Sequence, residues 1–148
     1  MSSWEAGDRI VDGVYYASNT PEHRAMLMRQ FKQMVDKITV NGAKVVFLTY
    51  PPAIDHDNEL DRFQNAEEHA ASDDLNDFYF DFAKKYPNQA TVLDFSKIAC
   101  PNGYPCPTTI DGVKIRPLDG RHFTVESSEF LARPVFAELQ AVLNAAFR

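Results

Sequence analysis

Two short, unbroken apolar runs constrain the fold of this chain most: "AKVVFLTY" at residues 43–50 and "ATVLDF" at residues 90–95. Both are rich in β-branched residues and too short for independent helices, so they read as strands buried on both faces, as in parallel sheets. Parallel strands need a crossover connection between them, usually a helix. The sequence supplies helical patterns in the right places. Thr20 reads as an N-cap, with Pro21 at the first helical position and Glu22 in the first turn. Leu27, Met28, Phe31, Met34, Val35 and Ile38 then recur at helical spacing, and Asn41-Gly42 reads as a left-handed C-cap. A second helix is expected from about Asp73 to Tyr86, with Leu75, Phe78, Tyr79, Phe82 and Ala83 facing inward.

Turn signals divide the rest. Asp12-Gly13 and Ser18-Asn19 mark turns near the start, and residues 51–74 read as a long polar loop with a helical turn or two. Asp111-Gly112 lies between two β-prone runs, a hairpin signal. Thr124 caps a last helix running to about Phe147, with Phe130, Leu131, Val135, Leu139, Val142 and Leu143 on its apolar side. Pro134 is expected to kink or interrupt it. Helix, strand, helix, strand, hairpin, helix is the order of an α/β layer with parallel strands. Two strands alone make a poor core.

The chain's 148 residues suit one domain with a real core. Its composition, 45% hydrophobic and 24% charged, is that of an ordinary globular protein. A net charge of −6 argues against nucleic acid or an anionic membrane as the main partner. No apolar run approaches the roughly 18 residues of a membrane span. "MSSWEAGDR" has neither a basic nor an apolar leader region, which taken alone reads as cytoplasmic.

The chemistry-bearing candidates concentrate in "RPLDGRHFTVESSEF", residues 116–130. Asp119 and His122 stand three apart just ahead of a helix start. A hydroxyl nucleophile needs a neutral imidazole to take its proton, and the imidazole needs a carboxylate on its other nitrogen. The plainer alternative is a surface histidine beside a turn aspartate. Ser127 and Ser128 follow closely, but at a helix start, where hydroxyls commonly cap or face solvent. "DHDNELD" at residues 55–61 alternates acids like a calcium loop, yet lacks the sixth-position glycine and twelfth-position glutamate, so it reads as a solvated loop. His23 and His69 read as surface histidines, and Trp4 as a core or edge aromatic. Cys100 and Cys106, in "ACPNGYPCP", are too few for a closed zinc site. A local disulfide and two free thiols both remain open.

In order, "GAKVVFLTYPP", "VLDFSKIACPNG" and "DGVKIRPLDGRHFT" followed by a final helix resemble the C-terminal half of an SGNH (GDSL-like) hydrolase domain. The likeness is to the SGNH domains attached to membrane O-acyltransferases that modify cell-surface sugars. It implies a partial three-layer α/β/α, flavodoxin-like fold with a short parallel sheet, a β-hairpin and a C-terminal helix, forming one domain over residues 1–148. It implies that Asp119 and His122 are triad members acting on acylated carbohydrate or another small ester, with no metal or organic cofactor. Ser3, Trp4 and Glu5 followed by "DRIVDG" resemble the region of the family's third block. The Gly-Asp-Ser block and the oxyanion-hole glycine are not legible here. "AGDRI" at residues 6–10 lacks a preceding apolar strand and is not a damaged copy of that block. The expectation is therefore a domain without its N-terminal blocks, inactive alone, whose partners are the upstream half or a membrane acyltransferase module. Homodimerisation through an exposed sheet edge is a further expectation. A non-catalytic remnant or a carbohydrate-binding module is the alternative. The resemblance also implies a location outside the cytoplasm, where a Cys100–Cys106 disulfide would form.

Overall fold

The computed structural model describes residues 7–53 and 66–146. Ser3, Trp4, Glu5 and the acidic loop at 55–61 lie outside the described residues, as does the side chain of His69. The elements are β1 (Arg9–Val11), β2 (Val14–Tyr16), α1 (Pro21–Thr39), β3 (Val45–Leu48), α2 (Ala66–Lys85), β4 (Ala90–Leu93), α3 (Phe95–Ala99), β5 (Thr109–Ile110), β6 (Val113–Lys114) and α4 (Val125–Ala146). This is a partial α/β fold ending in a helix. The described chain forms two compact units: residues up to Phe47 with Ala71–Val92, and residues from Leu48 to Ala70 with those from Leu93 onward.

The first unit is organised by aromatic packing. Thr20 caps α1, its hydroxyl oxygen accepting the His23 N–H at 3.2 Å. Met26, Leu27, Phe31 and Val35 on α1 pack with Leu75, Phe78, Tyr79 and Phe82 on α2 and with Phe47 of β3. Phe31 meets Phe78 edge-on at 4.9 Å, and Phe47 stacks on Tyr79 at 5.1 Å. Arg24 bridges the two helices, pairing with Asp74 at 2.9 Å and Asp81 at 2.7 Å. These pairs are partly solvated, so the rings carry more of the stability.

Several expectations are corrected here. Met34 and Ile38 are exposed, because the buried stripe of α1 runs through Met26 and His23 instead. His23 is 2% exposed, not a surface residue. The cap residue of α1 is Val40 in right-handed geometry; the left-handed residue is Gly42 (φ 84°), whose N–H returns to the Thr39 carbonyl at 2.9 Å. Asp12-Gly13 does more than turn the chain. Both residues have positive φ, and they close a β1–β2 hairpin in which Val11 faces Val14. Asp8 braces it, accepting the Tyr15 hydroxyl at 2.5 Å and the Ser18 N–H at 2.8 Å. α2 begins at Ala66, within the stretch expected to be a loop.

β3 and β4 form a two-stranded pair. The Val45 N–H bonds the Gln89 carbonyl and the Thr49 N–H that of Leu93, so the register advances in the same sense on both strands, as in parallel pairing. β3 is not buried on both faces as expected. Phe47 is buried, Val45 and Val46 are half-buried, and Leu48 is 41% exposed, because only one face meets the aromatic cluster.

In the second unit, Ala99, Cys100, Cys106, Ile115 and Leu131 form a small core ringed by Phe95, Ile98, Ile110, Phe123 and Phe130. The expected hairpin is present: Ile110 faces Val113 across Asp111 (φ 47°) and Gly112 (φ 85°). Cys100 and Cys106 are disulfide-bonded. α4 runs unbroken through Pro134, so the interruption does not occur. Beyond Leu131, Val135, Leu139, Val142 and Leu143 are only half-buried, and Phe136 is 67% exposed.

Candidate active site

The loop between β6 and α4 carries the candidate pair. Gly120 takes a positive φ of 69°, which turns the backbone so that two successive N–H groups face back onto Asp119. One oxygen of that carboxylate accepts the Arg121 N–H at 2.9 Å and the His122 N–H at 2.8 Å. The other meets His122 Nδ1 at 2.5 Å. Asp119 is thereby held well below the usual carboxylate range, chiefly by the His122 backbone N–H. Slight burial opposes this, while the His122 ring, the Arg121 N–H and the His122 charge add to it. The carboxylate stays ionised and fixes the tautomer that leaves Nε2 as a proton acceptor. The His122 side chain is 82% exposed, so that nitrogen is accessible.

The two residues singled out in the sequence are thus in contact. Ser127 is committed elsewhere. Its hydroxyl oxygen accepts the Thr124 N–H at 2.9 Å while the Ser127 N–H bonds the Thr124 hydroxyl at 3.2 Å, a reciprocal cap with serine in the usual Glu or Gln place. Ser127 is fully buried, which removes it as a nucleophile. No serine among the described residues is hydrogen-bonded to the His122 ring.

The family model described as SGNH domain (fused to AT3 domains) matches residues 2–137. The chain belongs to the SGNH domain family. No curated protein matches it. Family membership makes this an SGNH-type domain of the kind associated with acyltransferase modules.

Two further features of the second unit were not legible in the sequence. At the ends of β3 and β4, the Thr49 hydroxyl donates to Asp94 at 2.9 Å and accepts the Ser96 N–H at 2.7 Å. Asp94 caps α3 in turn, accepting the Lys97 N–H at 3.4 Å. The other is Arg116, 2% exposed, whose Nη2 donates to the Pro52 carbonyl at 2.6 Å. An arginine is among the residues least often fully buried, so nothing in its identity announced this. Alternation through Val113 and Ile115 would have turned Arg116 to the opposite face, yet Ile115 and Arg116 are both buried. Among the described residues no group of three or more His, Cys, Asp or Glu could hold a metal ion. No described helix is long and apolar enough to cross a membrane.

Proposed function

We propose that this chain supplies the acid–base half of an ester-cleaving or acyl-transferring site that acts on acyl esters of carbohydrate or cell-envelope substrates. The contact between Asp119 and His122 Nδ1 carries the reading, supported by membership of a family tied to acyltransferase modules. In this reading Nε2 takes the proton of a serine hydroxyl as the oxygen attacks the acyl carbon. The imidazolium, stabilised by Asp119, returns that proton to the departing alcohol. Water or a sugar hydroxyl, deprotonated by the same nitrogen, then releases the acyl group from the serine. The serine and the oxyanion donors belong to residues beyond those described here, on an upstream half of the domain or an attached module.

Purified residues 1–148 should therefore turn over p-nitrophenyl acetate no faster than free imidazole and take no fluorophosphonate label. On a polypeptide that also carries the serine-bearing segment, one serine should be labelled, and His122→Ala should slow labelling by about a hundred- to ten-thousand-fold. Equal labelling of that variant would remove His122 from the mechanism. Stoichiometric labelling of a serine within residues 1–148, lost in His122→Ala, would place the nucleophile inside this chain. A non-catalytic remnant or carbohydrate-binding module is the second reading. It is favoured by the lack of a serine hydrogen-bonded to His122 among the described residues. Sugar binding by both His122 and His122→Ala forms, with no labelling of either polypeptide, would select it.

A further inference from the structure

Arg116 opens the loop that carries Asp119 and His122, and Phe123 closes it. The two ends are joined: the guanidinium lies over the Phe123 ring, 5.4 Å from its centroid. Phe123 is held in turn by Phe95, the first residue of α3, at 5.6 Å. The guanidinium is also fastened to the segment after β3, through Nη2 and the Pro52 carbonyl at 2.6 Å. Burial brings its pKa down to about 10, while the charges of Tyr50 and Asp119 act to raise it. Packing alone does not account for an arginine here, since a methionine or leucine would fill such a space without the cost of desolvating a charge.

Geometry does account for it. A planar fork can bond a carbonyl with one edge and stack on a ring with its face, which neither lysine nor an aliphatic residue can do together. Pro117 follows directly and restricts the backbone between the clamp and Asp119. His122 sits next to the clamped Phe123. Fixing residues 116 and 123 to each other leaves the Asp119–His122 turn little freedom to open, although His122 itself projects into solvent.

We propose that Arg116 is a positioning residue for the Asp119–His122 pair, holding the imidazole in its Nδ1–H tautomer by clamping the loop ends through Pro52 and Phe123. The proposal deepens the acid–base reading above and rests on it for its functional meaning, but its physical content can be measured without any ester. The experiment is long-range 1H–15N correlation of the His122 ring in residues 1–148, at a pH alkaline enough for neutral imidazole. Wild type should show one dominant Nδ1–H tautomer. In Arg116→Met the tautomer ratio should move about tenfold towards the Nε2–H form favoured by a free side chain, the scale expected when one charge-assisted hydrogen bond is no longer enforced. Phe123→Leu should move it the same way and decides the matter where Arg116→Met does not fold. Arg116→Lys, which keeps charge without the fork, should restore little. The amide spectrum of α3, the β5–β6 hairpin and α4, which share the second unit with Arg116, reports whether each variant is folded. Folded variants with wild-type His122 nitrogen shifts would overturn the proposal. A locked tautomer that depends on Arg116, in a protein whose serine-bearing form labels independently of His122, would sink the ester reading and leave this one standing.

Discussion

The two units of this chain are held by different means. In the first, five of the ten buried core residues among those described are aromatic: Phe31, Phe47, Phe78, Tyr79 and Phe82. In the second, the buried cluster among the described residues is Ala99, Cys100, Cys106, Ile115 and Leu131, none of them aromatic and two joined in the Cys100–Cys106 disulfide. What apolar area supplies in one region, a covalent link, a reciprocal cap and a buried guanidinium supply in the other. The candidate pair lies in the second. A tight turn whose carboxylate must meet two N–H groups and a ring at fixed distances is better served by directional bonds than by apolar packing, which is non-directional.

The contrast is easiest to break at Phe82, which is fully buried and touches Phe31, Phe47, Phe78 and Tyr86. Phe82→Ala should cost about 3–5 kcal/mol, by lost transfer energy plus the cavity left behind. Urea unfolding followed by tyrosine fluorescence measures it. A loss below about 1 kcal/mol would mean that the ring cluster does not hold the first unit.

A smaller effect sharpens the contrast from the other side. Replacing both cysteines by serine should cost about 2 kcal/mol, the loop-closure entropy of a short ring. The accompanying rise in hydrogen exchange should fall on α3 and the β5–β6 hairpin, with α1 and α2 amides unchanged. Exchange that quickens equally in α1 and α2 would show that the regions do not rely on separate forces.

What could be read from the sequence follows the same division. Periodicity found α1, α2 and α4, and apolar runs found β3 and β4, because burial leaves a pattern in residue type. The Asp119–His122 pair was legible because both side chains belong to a short recognisable loop. The β1–β2 hairpin escaped because its strands are only three residues each, too short for alternation to register, although Asp12-Gly13 marked its turn. α3 escaped for the same reason, being five residues long. Arg116 and His23 escaped because the burial of a polar side chain depends on partners distant in sequence: Pro52 for one, the β1–β2 hairpin region for the other.

His23 gives the smallest effect, and one that tests the aromatic unit where it is least apolar. It is 2% exposed on α1, and among the described residues no partner bonds its Nε2. Burial lowers its pKa and the charge of Arg9 lowers it further, while Asp74, the Gly7 backbone and Asp8 pull the other way. The folded state therefore prefers the neutral ring. Above the ordinary histidine value of 6.5 the ring is neutral in both states and its titration contributes nothing to pH dependence. As pH falls below that value the unfolded chain takes up the proton first, so stability declines with acid until the folded ring is protonated too. Asp8, held at about 2 chiefly by the Ser18 N–H and the Tyr15 hydroxyl, adds its own loss only as pH falls below 3.8. The two contributions are separated in pH. Denaturation of wild type and His23→Gln at about pH 8 and about pH 5 isolates the first, since carboxylates with ordinary or lowered pKa values change little between them. Wild type should lose more stability across that interval than His23→Gln does. Equal losses would mean that water reaches Nε2 in the folded protein, and that this end of the first core is wetter than the ring cluster beside it.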